Sequence, residues 1–159
     1  MPVAGAVLSV AVIVIGGLAA EVARLSDQQM ALTTRVALQQ QAVMKYAQEC
    51  TNQTTLNSTS LAAGATALVK FTPTEHLGVL EVSGLAPLPA GQTYQLWLID
   101  GSGRYESGGL FQMPAAPNNQ IVILIIAPRD FKDYARFGVS IEPHTRSPRP
   151  TSPATLGSL

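Results

Sequence analysis

The sequence predicts a mainly β protein, a small antiparallel β-sandwich preceded by a transmembrane helix and a helical stalk. Between Ala65 and Glu142 six short apolar or alternating runs are separated by Gly, Pro, Asn and Asp, with no long helical period among them, as in sandwich domains. Residues 3–20 carry no charge, and residues 21–50 contain neither proline nor glycine. The domain limits that follow are 1–21 for the membrane helix, 22–50 for the stalk, 51–62 for a polar linker and 63–159 for the sandwich.

The run from Val7 to Ile15 is strongly apolar, and the uncharged stretch Val3 to Ala20, at about 1.5 Å per residue, reaches roughly 27 Å, enough for a thin hydrocarbon core. It reads as a transmembrane helix. A cleaved signal peptide is the alternative, given the small residues Gly16 to Ala20, but it calls for Lys or Arg near the start, where Met1-Pro2 supplies none. A buried core helix is the third reading. The flanking cations Arg24, Arg35 and Lys45 all lie after the run, which by itself favours a cytoplasmic C-terminal side.

Glu21 to Cys50 is rich in Ala, Gln, Leu and Met, the composition of a helix. Taking Val22 as heptad position a places Val36, Val43 and Cys50 at a, and Leu25, Leu32 and Tyr46 at d, with Gln29 and Gln39 interrupting the seam. Either two copies pair in a short coiled coil, giving a homodimer through the stalk, or the segment is an amphipathic extension of the membrane helix. Cys50 follows that choice as a bridge between copies or an idle thiol.

Asn52-Gln53-Thr54 and Asn57-Ser58-Thr59 fit the glycosylation pattern, one that arises readily by chance in an Asn/Thr-rich linker. Six strands are expected after it: Ala65 to Phe71, His76 to Val82, Thr93 to Asp100, Tyr105 to Phe111, Ile121 to Ala127 and Arg136 to Glu142. Tyr94 to Asp100 is apolar with hardly a break and ends in Asp-Gly, so it reads as a central strand covered on both faces, with Trp97 as a core anchor. Ile121 to Ile126 is uniformly apolar and must be buried on both faces or meet another surface. Pro128 to Tyr134 reads as a polar or helical turn. Ser147 to Leu159, rich in Pro and Ser, reads as an extended ending; Pro150-Thr151-Ser152-Pro153 has the PxxP spacing of polyproline ligands.

Composition excludes several chemistries. Ten Lys and Arg balance ten Asp and Glu, and charged residues make up 13%, so no basic field exists to hold nucleic acid. A single cysteine rules out a disulfide framework or a multi-cysteine zinc site. Only His76 and His144 could serve as imidazole bases, and no Gly-x-Ser-x-Gly elbow is present. Blue copper would need Cys near the final strands, whereas Cys50 lies in the stalk. Asp100, Glu106 and Glu142 are isolated carboxylates at turn or rim positions. No enzymatic activity and no cofactor are expected.

One constellation has a wider resemblance. Gly84-Leu85-Ala86-Pro87-Leu88-Pro89-Ala90-Gly91, then Tyr94-Gln95-Leu96-Trp97-Leu98-Ile99, Gly109-Leu110-Phe111, Phe137-Gly138-Val139-Ser140-Ile141-Glu142-Pro143 and Pro150-Thr151-Ser152-Pro153 follow in an order that resembles the C-terminal domain of anti-sigma-K factors of the RskA type. Tyr94, Leu96, Trp97, Gly109, Leu110, Phe111, Glu142 and Pro143 are the residues that carry it, in structural roles. The resemblance implies a single-pass protein of the cell membrane whose C-terminal domain lies outside the cytoplasm, the reverse of what the flanking charges favour. It implies a regulatory or sensor role in sigma-factor-dependent transcription, with a sigma factor or a separate cytoplasmic anti-sigma domain as partner. The family's zinc-binding anti-sigma domain has no counterpart ahead of Val3. The alternative is a membrane-tethered structural or interaction domain of the cell envelope, homo-oligomeric through stalk and sheet.

Overall fold

Alternating and continuous apolar runs become strands wherever the sequence places them. In the computed structural model, which describes residues 39–116, 119–143 and 147–157, the six expected strands are β2 (Thr66–Phe71), β3 (Leu77–Ser83), β4 (Gln92–Asp100), β5 (Tyr105–Phe111), β6 (Gln120–Ile126) and β7 (Tyr134–Pro143). Two more were not foreseen. β1 (Asn52–Ser58) occupies what reads as a linker, and β8 (Ala154–Gly157) what reads as an extended ending. The chain divides into two units, Met1–Gln41 and Ala42–Leu159, and the described residues belong to the second apart from 39–41. The expected membrane helix, residues 1–21, and most of the stalk lie outside the described residues. Among the described residues no helix is long and apolar enough to cross a membrane.

The strands form one antiparallel sheet in the order β5-β4-β7-β8-β1-β2-β3-β6. Its outer strands β5 and β6 approach each other, so the sheet curls, barrel-like, around its core. This corrects the sandwich expectation, and β8 is the reason. It pairs with β7 through Val139 and Ser140 and with β1 through Asn57 and Ser58, joining β5-β4-β7 to β1-β2-β3-β6. Without that strand the two groups would be two separate sheets.

The core lies on the inner face of the curl. Leu56, Val69, Leu80, Val82, Leu96, Leu98, Val139 and Leu156 are buried there, with Tyr94 stacked on Phe111 at 5.3 Å. The turn before β7 is a 3-10 turn, Phe131–Asp133, and it hides an aromatic anchor: Phe131 is buried and stacks on Phe71 at 4.9 Å. Phe131 lies against Gly78, where an added Cβ would come 2.6 Å from its ring and 3.0 Å from the Lys70 carbonyl. Gly78→Ala is therefore expected to destabilise the domain by about 1–3 kcal/mol, a displacement of the denaturation midpoint at unchanged slope, because neither the stacked ring nor the backbone can yield freely.

β6 is an edge strand, so its apolar run is covered on one face only. Ile125 is buried, whereas Leu124 is 43% and Ile126 65% exposed. Residues 39–49 are helical, and the end of that helix is used within the β domain. Tyr46 donates its hydroxyl to Glu75 and to the Leu77 carbonyl, and Cys50 Sγ lies 3.4 Å from the Tyr46 carbonyl. Tyr46 of the expected seam thus faces its own sheet, while the seam positions before residue 39 lie outside the described residues.

Candidate functional site

Side-chain alternation sends Leu96 and Leu98 into the core and leaves Gln95 and Trp97 on the opposite face of β4. β7 pairs with it in a register that sets Gln95 opposite Ser140, Trp97 opposite Gly138 and Thr93 opposite Glu142. That outer face would be open to solvent but for residues 147–153, which fold back over it as a strap. Gln95, Trp97, Ser140 and Glu142 are all at most 2% exposed.

The buried polar groups form a continuous network. Trp97 Nε1–H donates to Ser140 Oγ at 2.8 Å, and Ser140 donates to Glu142 Oε1 at 2.5 Å. The Thr151 amide lies 3.0 Å from both Glu142 oxygens, and its hydroxyl donates to Oε2 at 2.5 Å. Gln95 and Ser147 bond reciprocally, amide to carbonyl, at 3.3 and 3.4 Å. Ser152 donates its hydroxyl to the Ile141 carbonyl. Burial pushes Glu142 up, but the donors from Ser140 and Thr151 outweigh it and hold the carboxyl below the usual glutamate range. A buried carboxylate so supplied with donors is a clamp on the strap.

Hollows flank the strap. One, of about 320 Å³, is lined by Trp97, Tyr105, Arg136, Gly138, Pro150 and Pro153; the other, of about 610 Å³, by Leu61, Gln92, Pro143 and Thr151 among others. Tyr105 meets Trp97 edge-on at 5.9 Å.

A second polar cluster closes one end of the sheet. Asp100 Oδ1 accepts from the Ser102 hydroxyl and amide at 2.6 and 2.9 Å and from the Arg104 amide at 3.0 Å, fixing the β4–β5 turn. Arg129 reaches Glu106 at 2.9 Å and Asp100 at 3.4 Å while lying 4.9 Å above the Tyr134 ring, and Tyr134 donates to Glu106 at 2.6 Å. The Ser102 hydroxyl and the turn amides lower Asp100 to about 2, and the Tyr134 hydroxyl, with Arg129, lowers Glu106. Both carboxyls have folded values below their unfolded ones, so their contribution is fully present above about pH 4.5 and is lost as pH falls toward 2. Acid titration of stability is expected to show that decline, and Asp100→Asn should flatten it.

The arrangement binds the protein to itself and offers no reacting centre among the described residues. The carboxylates are held by donors, no group of three or more His, Cys, Asp or Glu there could hold a metal, and His144 lies outside the described residues. Its signature is instead a set of segments far apart in sequence meeting over one indole.

A family model described as "Anti-sigma-K factor rskA, C-terminal" matches residues 3–155. The chain belongs to that family. Among curated relatives, the anti-sigma-K factor RskA of Mycolicibacterium vanbaalenii is 30% identical over 96 residues, covering 60% of this chain and 38% of the relative. The RskA of Mycobacterium sp. (strain KMS) is 31% identical over 94 residues, 59% and 37% of the two chains. An uncharacterized protein in the phr 5' region of Streptomyces griseus is 33% identical over 95 residues, 60% and 37%. The chain spans less than two fifths of the length of these relatives. No solved structure matches it.

In this RskA-type domain the motif residues divide between the two faces. Tyr94, Leu96 and Phe111 lie in the core, with the Tyr94 hydroxyl donating to the Ala86 carbonyl at 2.9 Å. Trp97 is buried as expected, but under the strap and outside the main core cluster, and Glu142 joins it there through Ser140. Gly109, at φ +138°, follows a bulge in which Gly108 is the unpaired residue, and an added Cβ at Gly108 would come 2.7 Å from Leu96. Leu110 is 37% exposed on the edge strand β5, and Pro143 ends β7 opposite Gln92. Gln95, Ser140, Ser147 and Thr151 were not singled out from the sequence. Ser140 and Glu142, two apart in an otherwise apolar strand, had a readable signal, since a buried polar pair on one face demands a partner.

Proposed function

We propose that this chain is the membrane-anchored regulatory or sensor region of an anti-sigma-factor-type protein, acting on sigma-factor-dependent transcription across the membrane. The observation that carries the reading is the family match over residues 3–155, which takes in the apolar stretch 3–20 together with the β domain. In this reading residues 3–20 span the membrane, the stalk follows, and the β domain lies on the extracytoplasmic side. A sigma factor, or a cytoplasmic anti-sigma domain, is the partner on the other side. The fate of the domain's polar groups, tied to one another in the clamp and the turn cluster, supports a regulatory role over an enzymatic one.

Three measurements on the full chain test it. The protein should stay in the membrane fraction through alkaline carbonate extraction. Its β domain should be digested by protease added outside intact spheroplasts. Crosslinking from the cytoplasmic side should recover a sigma factor or an anti-sigma domain. Release by carbonate, protection from external protease, or recovery of copies of the chain alone would overturn the reading, the last in favour of a tethered interaction module.

A further inference from the structure

We propose that the cleft between β7 and β1 is a strand-acceptor site, filled in cis by the chain's own residues 147–157 and able to take the same segment in trans. Among the described strands, β8 is the one whose ladder joins the two halves of the sheet. Its hold is short: two register pairs with β1 and three with β7, the latter broken by an irregularity, against nine between β4 and β7. A single side chain of the segment, Leu156, enters the core cluster.

The rest of the recognition is polar and local, as in a peptide site. Glu142 receives the Thr151 amide and hydroxyl, and Gln95 receives Ser147. Thr155 donates to the Val139 carbonyl at 2.9 Å, and Thr59 donates to the Ala154 carbonyl at 2.9 Å. Pro148, Pro150 and Pro153 hold the strap extended before it docks, which lowers the ordering cost of binding. Backbone pairing would then supply affinity, while Leu156 and Thr151 supply specificity, the mode of strand addition at an exposed edge. Each half retains its own ladders when the segment leaves, β5-β4-β7 on one side and β1-β2-β3-β6 on the other.

The test uses the full chain and a synthetic peptide of residues 147–157. In native-state hydrogen exchange, the amides of Thr151 and Leu156 should exchange at least tenfold faster than those of Leu96 and Leu98. A chain carrying Thr151→Val and Leu156→Ala, which weaken its own tail, should bind the labelled native peptide saturably. Adding Glu142→Gln should weaken that binding at least tenfold, and a scrambled peptide should not bind. Equal exchange of the tail and β4 amides would overturn the proposal, and this readout stands even if the double variant fails to fold. Absence of saturable binding to a folded variant, or equal binding of the scrambled peptide, would overturn it as well.

Discussion

Trp97→Ala should destabilise the domain by about 3–5 kcal/mol, the range for removing a buried aromatic side chain without refilling its space. The indole is 2% exposed, packs edge-on against Tyr105 and donates to Ser140, so truncation removes packing and also strips Ser140 of a donor. Strap residues Pro150 and Pro153, which line the hollow beside Trp97, would lose the surface beneath them. Trp97→Phe separates the two contributions. It keeps most of the aromatic area and loses the N–H, so about 1–2 kcal/mol is expected. Urea denaturation followed by circular dichroism is the measurement, because the chain's one tryptophan is the residue removed. A loss below about 1 kcal/mol for the alanine variant would mean that the outer face contributes little and the inner core alone holds the fold.

The second large effect is expected at Glu142. It is 1% exposed and accepts from Ser140 and from both donors of Thr151. Hydrogen bonds to a charged group contribute about 1.5–3 kcal/mol each, and donors left buried without a partner add their desolvation cost. Glu142→Gln keeps the shape but replaces one acceptor oxygen with a donor that faces the Thr151 amide; a loss of about 2–4 kcal/mol is expected. Thr151→Val alone should cost about 1–2 kcal/mol, since the backbone amide still reaches the carboxylate. The double variant should lose less than the sum of the two, with a coupling of about 0.5–3 kcal/mol. Strict additivity would place the clamp elsewhere.

Six strands were legible in the sequence because each carries its own local signal. Thr66–Phe71, Leu77–Ser83 and Gln92–Asp100 alternate or run apolar between turn residues, and the structure has them within a residue or two of the expected limits. β1 and β8 lacked such a signal. Leu56 is the only fully buried residue of Asn52–Ser58, and β8 is four residues long with Thr155 and Leu156 buried. Neither length nor composition marks them as strands. They exist because neighbouring edges offer unpaired backbone groups, a cause that lies elsewhere in the chain.

The polar site follows the same division. The sequence marked Trp97 and Glu142 one by one, and read the first as a core anchor and the second as the end of a strand. Their union depends on the β4–β7 register, which sets Gln95 opposite Ser140, and on a strap that brings Thr151 back to Glu142. By itself, then, the sequence determined a β domain behind an apolar segment and a helix-forming stretch, since periodicity, proline and glycine act over a few residues. Only the tertiary structure decided that the strands make one curled sheet with a clamped outer face, because that outcome rests on bonds such as Thr59 to Ala154, 95 residues apart, whose partners carry no trace of each other in the local pattern.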